Sequence, residues 1–335
     1  MTGSNPIRGE EAIIQEYLAP LAAGYPGAFD LRDDCAAITP TPGHDLIVKT
    51  DPVAGGIHFF PDDPPEDIGW KALAVNVSDL AAKAAVPVAY LMALSFPEAP
   101  TRSWMERFAR GLHEAQTAFG MHLIGGDTDR RPGPVTISIT VFGEVPTGTM
   151  VRRGAARTGD LIYVSGELGA AATGLALLNS PDLAQDLAIA GDDVATLVAR
   201  FRRPTPRLSL REALRRYASA AMDLSDGLAK DLDRMCRASS CGATIQVASV
   251  PVLPATAAAL ARDRAFIRNV IAAGDDYEVL ATVAPEHAAA FEACVRGTSD
   301  VSVSCIGSVR ADSGVALIAA DGQPITLDRA GWDHF

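Results

Sequence analysis

The chain predicts a mixed α/β (α+β) architecture in two domains, and three observations carry that expectation. Apolar strand-like stretches alternate with segments of helical period along the whole length. The 335 residues, 48% of them hydrophobic, are enough for more than one core. A polar, glycine-containing stretch from Pro146 to Gly159 separates the halves, so domains are expected at residues 1–148 and 149–335.

In the first half, Glu10 to Leu21 reads as a short amphipathic helix broken by Gly24, Pro26 and Gly27. Leu46 to Thr50 reads as a buried strand ending at Asp51 and Pro52, before a loop through Gly55, Gly56 and His58. Asp67 to Ala85 has helical period and is closed by Pro87, with Asn76, Asp79 and Lys83 on one face. Its remaining residues are mostly Ala, Leu and Val, which predicts a packed helix with one narrow polar stripe. Val88 to Leu94 and His122 to Ile124 are expected strands flanking the helix Arg102 to Phe119, whose stop is Gly120. Val135 to Val145 alternates as a long strand.

In the second half, a strand at Leu161 to Ser165 leads through the turn GELGAAATG into a helix containing Leu175 to Leu178. Arg202 to Arg207, RRPTPR, is a rigid charged connector. Ala220 to Leu224, Ala243 to Val247 and Tyr277 to Val283 are expected strands, and Asp226 to Arg237 a helix.

Composition removes several function classes. No run approaches the roughly 18 apolar residues of a membrane span, and MTGSNPIRGEEAI lacks the regions of a signal peptide, so the default expectation is a cytoplasmic protein. Five cysteines without a CxxC pair indicate reduced thiols rather than a disulfide framework or zinc ribbon. A net charge of −12 argues against nucleic-acid or anionic-membrane partners.

Aspartates recur where apolar stretches meet loops: Asp33 and Asp34, Asp51, Asp79, Asp127 and Asp129, Asp223 and Asp226, Asp275 and Asp276. Carboxylates gathered together repel unless a cation sits among them, and their hard oxygens suit Mg²⁺. Each also has a plainer reading. Asp226 at a helix start is an N-cap candidate, and Asp33–Asp34 an ordinary turn. Asp79 is placed to pair with Lys83 at i,i+4, and His58, without a metal-ligand spacing, reads as a lone hydrogen-bonding histidine. Gly125 and Gly126 permit close approach of the backbone to a phosphate, or form a plain turn. The Walker sequence GxxxxGK[ST], GxGxxG spacing and the kinase HRD and DFG motifs are all absent, so a nucleotide enzyme of this sequence would hold phosphates chiefly through metals on aspartates.

The ordered motifs DDCAA (33–37), KTD (49–51), GGIHF (55–59), KALAVNVSDLAAKAA (71–85), LIGGDT (123–128), MDLSDGL (222–228), GDDYE (274–278) and the terminal GWDHF (331–335) resemble the thiamine-monophosphate kinase family. The resemblance implies a two-domain PurM-like fold whose N-terminal sheet domains pair in a homodimer. It also implies transfer of the ATP γ-phosphoryl group onto thiamine monophosphate with several Mg²⁺ ions. By motif position, Asp34, Thr50, Asp51, Asp79, Asp127, Asp223 and Asp226 match metal-binding residues. Gly126, Asp127, Arg153 and Ser225 match ATP contacts, and His58 and Asp275 match substrate contacts.

Trp332 is a candidate to stack on the thiamine rings or, equally, an apolar anchor. Asp51, Asp79 and Asp127 are expected to bridge the β- and γ-phosphates through metal, with Arg153 as a phosphate clamp. The acceptor is itself a phosphate, so no catalytic base is expected. Arg32, Lys49 and Asp129 depart from the family's pattern. The alternatives are another ATP-dependent synthetase of the same superfamily and a non-catalytic acidic metal-binding protein.

Overall fold

The computed structural model describes residues 6–328 and 330–332, and the chain divides into two units. One comprises residues 1–80 and 85–148; the other comprises 81–84 and 149–335.

In the first unit, the N-terminal segment is helical but irregular. A turn α1 (Glu10–Ile13) passes through a π-helical stretch, Ile14–Leu18, into α2 (Ala19–Ala22), with Pro20 inside the last turn. Four strands follow: β1 (His44–Ala54), β2 (Val86–Phe96), β3 (His122–Arg130) and β4 (Thr136–Pro146). They form one sheet in the order β1-β4-β2-β3. Helices α3 (Pro65–Ala82) and α4 (Arg102–Phe119) lie between strands in sequence. Thr101 caps α4 by accepting from the Trp104 N–H, and Gly120 ends it in the left-handed conformation.

Register places Lys49, Asp51 and Val53 opposite Val141, Ile139 and Ile137, on the face toward α3, where the three β4 residues are fully buried. On the other face, Tyr25, Ala28 and Leu31 pack with Ala89, Leu91 and Phe142, while Val48 on β1 stays 56% exposed.

Both edge strands run further than the sequence suggests. β1 continues through Asp51 and Pro52, and β3 through Asp127 and Asp129, so these acids stand within strands rather than after them. An edge position explains it, because the missing proline N–H costs no ladder bond there. Gly126 has an internal reason as well: a Cβ on it would come 1.8 Å from the Met92 carbonyl oxygen of β2.

The second unit holds a mixed six-stranded sheet in the order β10-β7-β9-β5-β8-β6. Its strands are β5 (Leu161–Ser165), β6 (Ala218–Asp223), β7 (Gly242–Gln246), β8 (Val279–Val283), β9 (Val303–Arg310) and β10 (Gly314–Ile318). The pairs are antiparallel except β10 with β7.

Its helices are α5 (Ala170–Asn179), α6 (Leu183–Asp186), α7 (Gly191–Arg202), α8 (Arg211–Tyr217), α9 (Leu228–Ser239), α10 (Pro254–Arg262), α11 (Ile267–Ile271) and α12 (Ala288–Thr298). One core joins Leu232 and Met235 of α9 to Ile162, Ala243 and Leu280. Another joins Leu214 of α8 and Phe291 of α12 to Tyr163, Ala221 and Ala281. Alternate residues of β5 and β8 thus face opposite ways, so the sheet is covered on both faces.

Candidate functional site

The sharpest arrangement in the first unit is built on β1 and α3. Asn76, fully buried on α3, accepts from the Asp51 N–H at 2.8 Å and donates through Nδ2 to the Asp51 carbonyl at 3.4 Å and the Ala72 carbonyl at 3.1 Å. One turn later on the same helix, Asp79 points toward β1, where Lys49 Nζ lies 2.9 Å from Asp79 Oδ2 and 2.9 Å from Asp51 Oδ2. Burial alone would lower the Lys49 pKa. The charges and hydrogen bonds of Asp79 and Asp51 outweigh it and hold the ammonium protonated above its ordinary range.

Asp79 therefore does not follow the i,i+4 expectation. Its ion pair is with Lys49, and Lys83 Nζ donates at 2.7 Å to the Ala221 carbonyl in the second unit. Thr50 faces away from Asp51, as strand alternation requires: its hydroxyl donates to the Ile139 carbonyl and accepts from Thr140. His58 accepts from the Ala54 N–H through Nδ1 at 3.0 Å, so the neutral ring carries its proton on Nε2.

Asp127 is elsewhere in the unit. The register Asp51–Ile139–Met92–Gly126 crosses the whole sheet, on the order of 14 Å for three strand spacings, and Asp127 is the next residue along β3, on the opposite face. There it joins Asp33 and Asp34 around a cavity of about 780 Å³ with apolar walls from Ile14, Leu91 and Phe142. That volume lies in the range of small-molecule sites. Gly126 lines the same cavity. Among the described residues no three His, Cys, Asp or Glu side chains converge as a preformed metal site would require.

In the second unit, the loop after β6 and the loop before β8 are joined by backbone. Asp275 N donates to the Ser225 carbonyl at 2.9 Å, Tyr277 N to the Leu224 carbonyl at 2.8 Å, and Leu224 N to the Glu278 carbonyl at 2.8 Å. Gly274 is required for this approach, since a Cβ there would meet the Ser225 carbonyl at 2.0 Å. Asp275 and Tyr277 both adopt positive φ, 72° and 51°, a concentration of strain usual at functional loops. The Tyr277 hydroxyl donates to Asp275 Oδ1 at 3.2 Å. Asp223, buried, closes β6 just before this loop.

Asp226 is not the cap of α9. Gly227 occupies that position without a side-chain bond, and the Asp226 carboxylate pairs instead with Arg234 at 2.5 Å and Lys230 at 3.6 Å. Sequence reasoning missed Asp231, which is wholly buried. Its Oδ2 accepts from the N–H groups of Ser225 and Asp226, at 3.0 and 2.9 Å, and Oδ1 pairs with Arg234 at 2.9 Å.

Burial, with a lesser push from the Asp226 charge, raises the Asp231 pKa to about 6 against the opposing bonds from Asp226 N–H and Arg234. The clue in the sequence was an acid on the otherwise apolar side of a strongly amphipathic helix. Asp276 accepts from Gly169 N at 2.8 Å and Ala171 N at 3.4 Å, and so caps α5.

Trp332 is tied by its backbone: its N–H donates to the Asp226 carbonyl at 3.0 Å and its carbonyl accepts from Lys230 Nζ. The residue is 52% exposed, so it is not a buried anchor. Asp333 to Phe335 of the terminal motif lie outside the described residues. Arg153, on a 3₁₀ turn, is exposed. No helix among the described residues is long and apolar enough to cross a membrane.

Family models match both halves of the chain: AIR synthase related protein, N-terminal domain, over residues 32–145, and AIR synthase related protein, C-terminal domain, over 157–320. The thiamine-monophosphate kinase of Escherichia coli O157:H7 is 39% identical over 305 residues, 91% of each chain. Among solved structures, thiamine-monophosphate kinase from Stenotrophomonas maltophilia K279a superposes with a TM-score of 0.79 at 38% identity, covering 88% of this chain and 91% of that one. AaThiL, solved in complex with AMPPCP and TMP, gives a TM-score of 0.77 at 29% identity, covering 99% and 100%.

Proposed function

The chain belongs to the thiamine-monophosphate kinase family, and from that premise we propose that it transfers the γ-phosphoryl group of ATP onto thiamine monophosphate, giving thiamine diphosphate and ADP. The AaThiL complex with AMPPCP and TMP supports both co-substrates. The observation that carries the reading within this chain is that the Asp51 and Asp79 carboxylates converge on one point, where the Lys49 ammonium lies 2.9 Å from each.

Mg²⁺ fits these residues. The donors are carboxylate oxygens in pairs, and Mg²⁺ is commonly held by one or two carboxylates together with substrate phosphates and water. Separate ions would be held by Asp51 with Asp79, by Asp34 with Asp127 beside the cavity, and by Asp223 with Asp226 in the second unit. When bound, Mg²⁺ neutralises phosphate charge and aligns the β- and γ-phosphates.

The chain's own groups then do the positioning. Asn76 fixes the Asp51 backbone, Asp231 fixes the Ser225–Asp226 turn, and the Ala54 N–H orients the His58 ring for its substrate contact. Exposed Arg153 serves as a phosphate clamp. Asp275 and the exposed Trp332 ring suit the cationic rings of the acceptor. The nucleophile is a phosphate oxygen, so no side chain is assigned as general base. Exposed Val48 on β1 and the uncovered part of that sheet face support a homodimer through the first unit.

The test is direct. Purified protein with Mg²⁺ and ATP is expected to form thiamine diphosphate from thiamine monophosphate with one ADP released per product. ADP release that is indifferent to thiamine monophosphate, or that requires another acceptor, overturns the proposal.

A further inference from the structure

Lys49 and Asp51 are two residues apart on one face of β1, and α3 brings Asp79 to the same point. We propose that Lys49 is a resident cation that keeps free divalent metal out of the Asp51–Asp79 pair, so that this pair engages metal only together with the phosphates of the nucleotide. The inference rests on the reading of Asp51 and Asp79 as metal-binding carboxylates.

Two carboxylates that share a point are held together only if positive charge lies between them. Lys49 already supplies it, with one ammonium hydrogen-bonded to both. A divalent ion entering without nucleotide has to displace that ammonium. The displaced ammonium can move no further than its own stem allows, because that stem starts from a strand held by β4 on one side and by Asn76 on the other. The displaced charge would stay within a few ångströms of the metal and repel it. Phosphate oxygens change the balance: they add negative charge and offer the displaced ammonium new acceptors. Metal and nucleotide are therefore thermodynamically coupled at this pair, each raising the affinity for the other.

Mn²⁺ binding to the nucleotide-free protein, followed by electron paramagnetic resonance and calorimetry, tests the inference without any turnover. Asp79→Asn in the otherwise unchanged chain is expected to leave nucleotide-free Mn²⁺ binding unaltered, because the pair takes no free metal. Lys49→Met is expected to gain one Mn²⁺ site per chain, at least tenfold tighter than any binding the unchanged chain shows at this pair. The Lys49→Met/Asp79→Asn double variant is expected to lose that site again, and Lys49→Arg to behave like the unchanged chain.

A Mn²⁺ site in the unchanged chain that Asp79→Asn abolishes overturns the inference, as does a folded Lys49→Met that binds no more metal than its parent. Should Lys49→Met fail to fold, the Asp79→Asn comparison still decides. A gained site in Lys49→Met with no thiamine diphosphate formed by the unchanged chain defeats the proposed reaction and leaves this inference standing. Thiamine diphosphate formation without the gained site does the reverse.

Discussion

Asn76 holds Asp51 by both polar groups of its backbone, accepting from its N–H at 2.8 Å and donating to its carbonyl at 3.4 Å. Because Asn76 is itself fully buried, Asn76→Ala leaves the Asp51 N–H without that acceptor and opens a small void. The expected loss is about 2 kcal/mol of stability in denaturant titration. The accompanying fall in kcat/KM for Mg·ATP should exceed tenfold, since Asp51 is no longer fixed. Unchanged kcat/KM in a folded variant would deny Asn76 a positioning role.

Asp79→Asn removes one of the two carboxylates around Lys49 and leaves the Lys49–Asp51 pair in place. Thiamine diphosphate formation is expected to fall by roughly 100-fold, the order of loss when transition-state charge stabilisation is removed. The melting temperature should move by only a few degrees, because the pair is partly exposed and such pairs contribute little stability.

The Asp231 carboxyl gives a pH signature. Its pKa in the folded protein, about 6, lies above the ordinary aspartate value of 3.8, so the folded state favours the protonated form. Its contribution is fully present below pH 3.8 and is lost as pH rises through 6. Relative to Asp231→Asn, the unchanged chain should lose up to about 3 kcal/mol between pH 4 and pH 7 in denaturant unfolding. A difference that is flat with pH would contradict the assignment.

The thiols should sort by environment. Cys35 and Cys305 are exposed, whereas Cys236 and Cys241 are buried, and burial together with its neighbour Cys241 pushes the Cys236 thiol up to about 12. A chromogenic disulfide reagent at pH 8 is expected to label Cys35 and Cys305 quickly, and Cys236 and Cys241 only after denaturation. Mass spectrometry of the labelled peptides reads the order.

Trp332 is anchored by its backbone and is about half exposed. Trp332→Ala should therefore leave thermal stability unchanged while raising KM for thiamine monophosphate about fivefold, the loss of one ring–cation contact. An unaltered KM removes it from the substrate site.

Some of this architecture is legible in the sequence alone. The helix Arg102–Phe119 and its stop at Gly120 followed from strong amphipathic period and a glycine free to turn left-handed. Leu161–Ser165 was equally plain, being apolar and bounded by turn residues. The sequence ends β1 and β3 at Thr50 and Ile124 because proline, glycine and acid are ordinary strand terminators, and only the sheet order reveals that both strands are edges where such residues are tolerated.

Several second-half elements, among them α8, α12, β9 and β10, carried too little period of their own to be assigned. Buried contacts across the sheet decide them. Motifs identified the aspartates, but not which of them meet. Asp51 and Asp79 come together while Asp127 lies across the sheet, a fact of register that no local pattern encodes.

The sheet order has a consequence for how the first unit comes into being. Strand β4 is the last of its four to leave the ribosome, yet it pairs with both β1 and β2, and Thr50 meets Thr140 across 90 residues of chain. At about 5–20 residues per second, β1 waits several seconds with both edges unpaired while Asp51 has no fixed position. Closure of such long loops is slow, and an unpaired strand is prone to associate with other chains. Polar Lys49, Thr50 and Asp51 and the rigid Pro52 would protect the nascent chain from aggregation until β4 arrives.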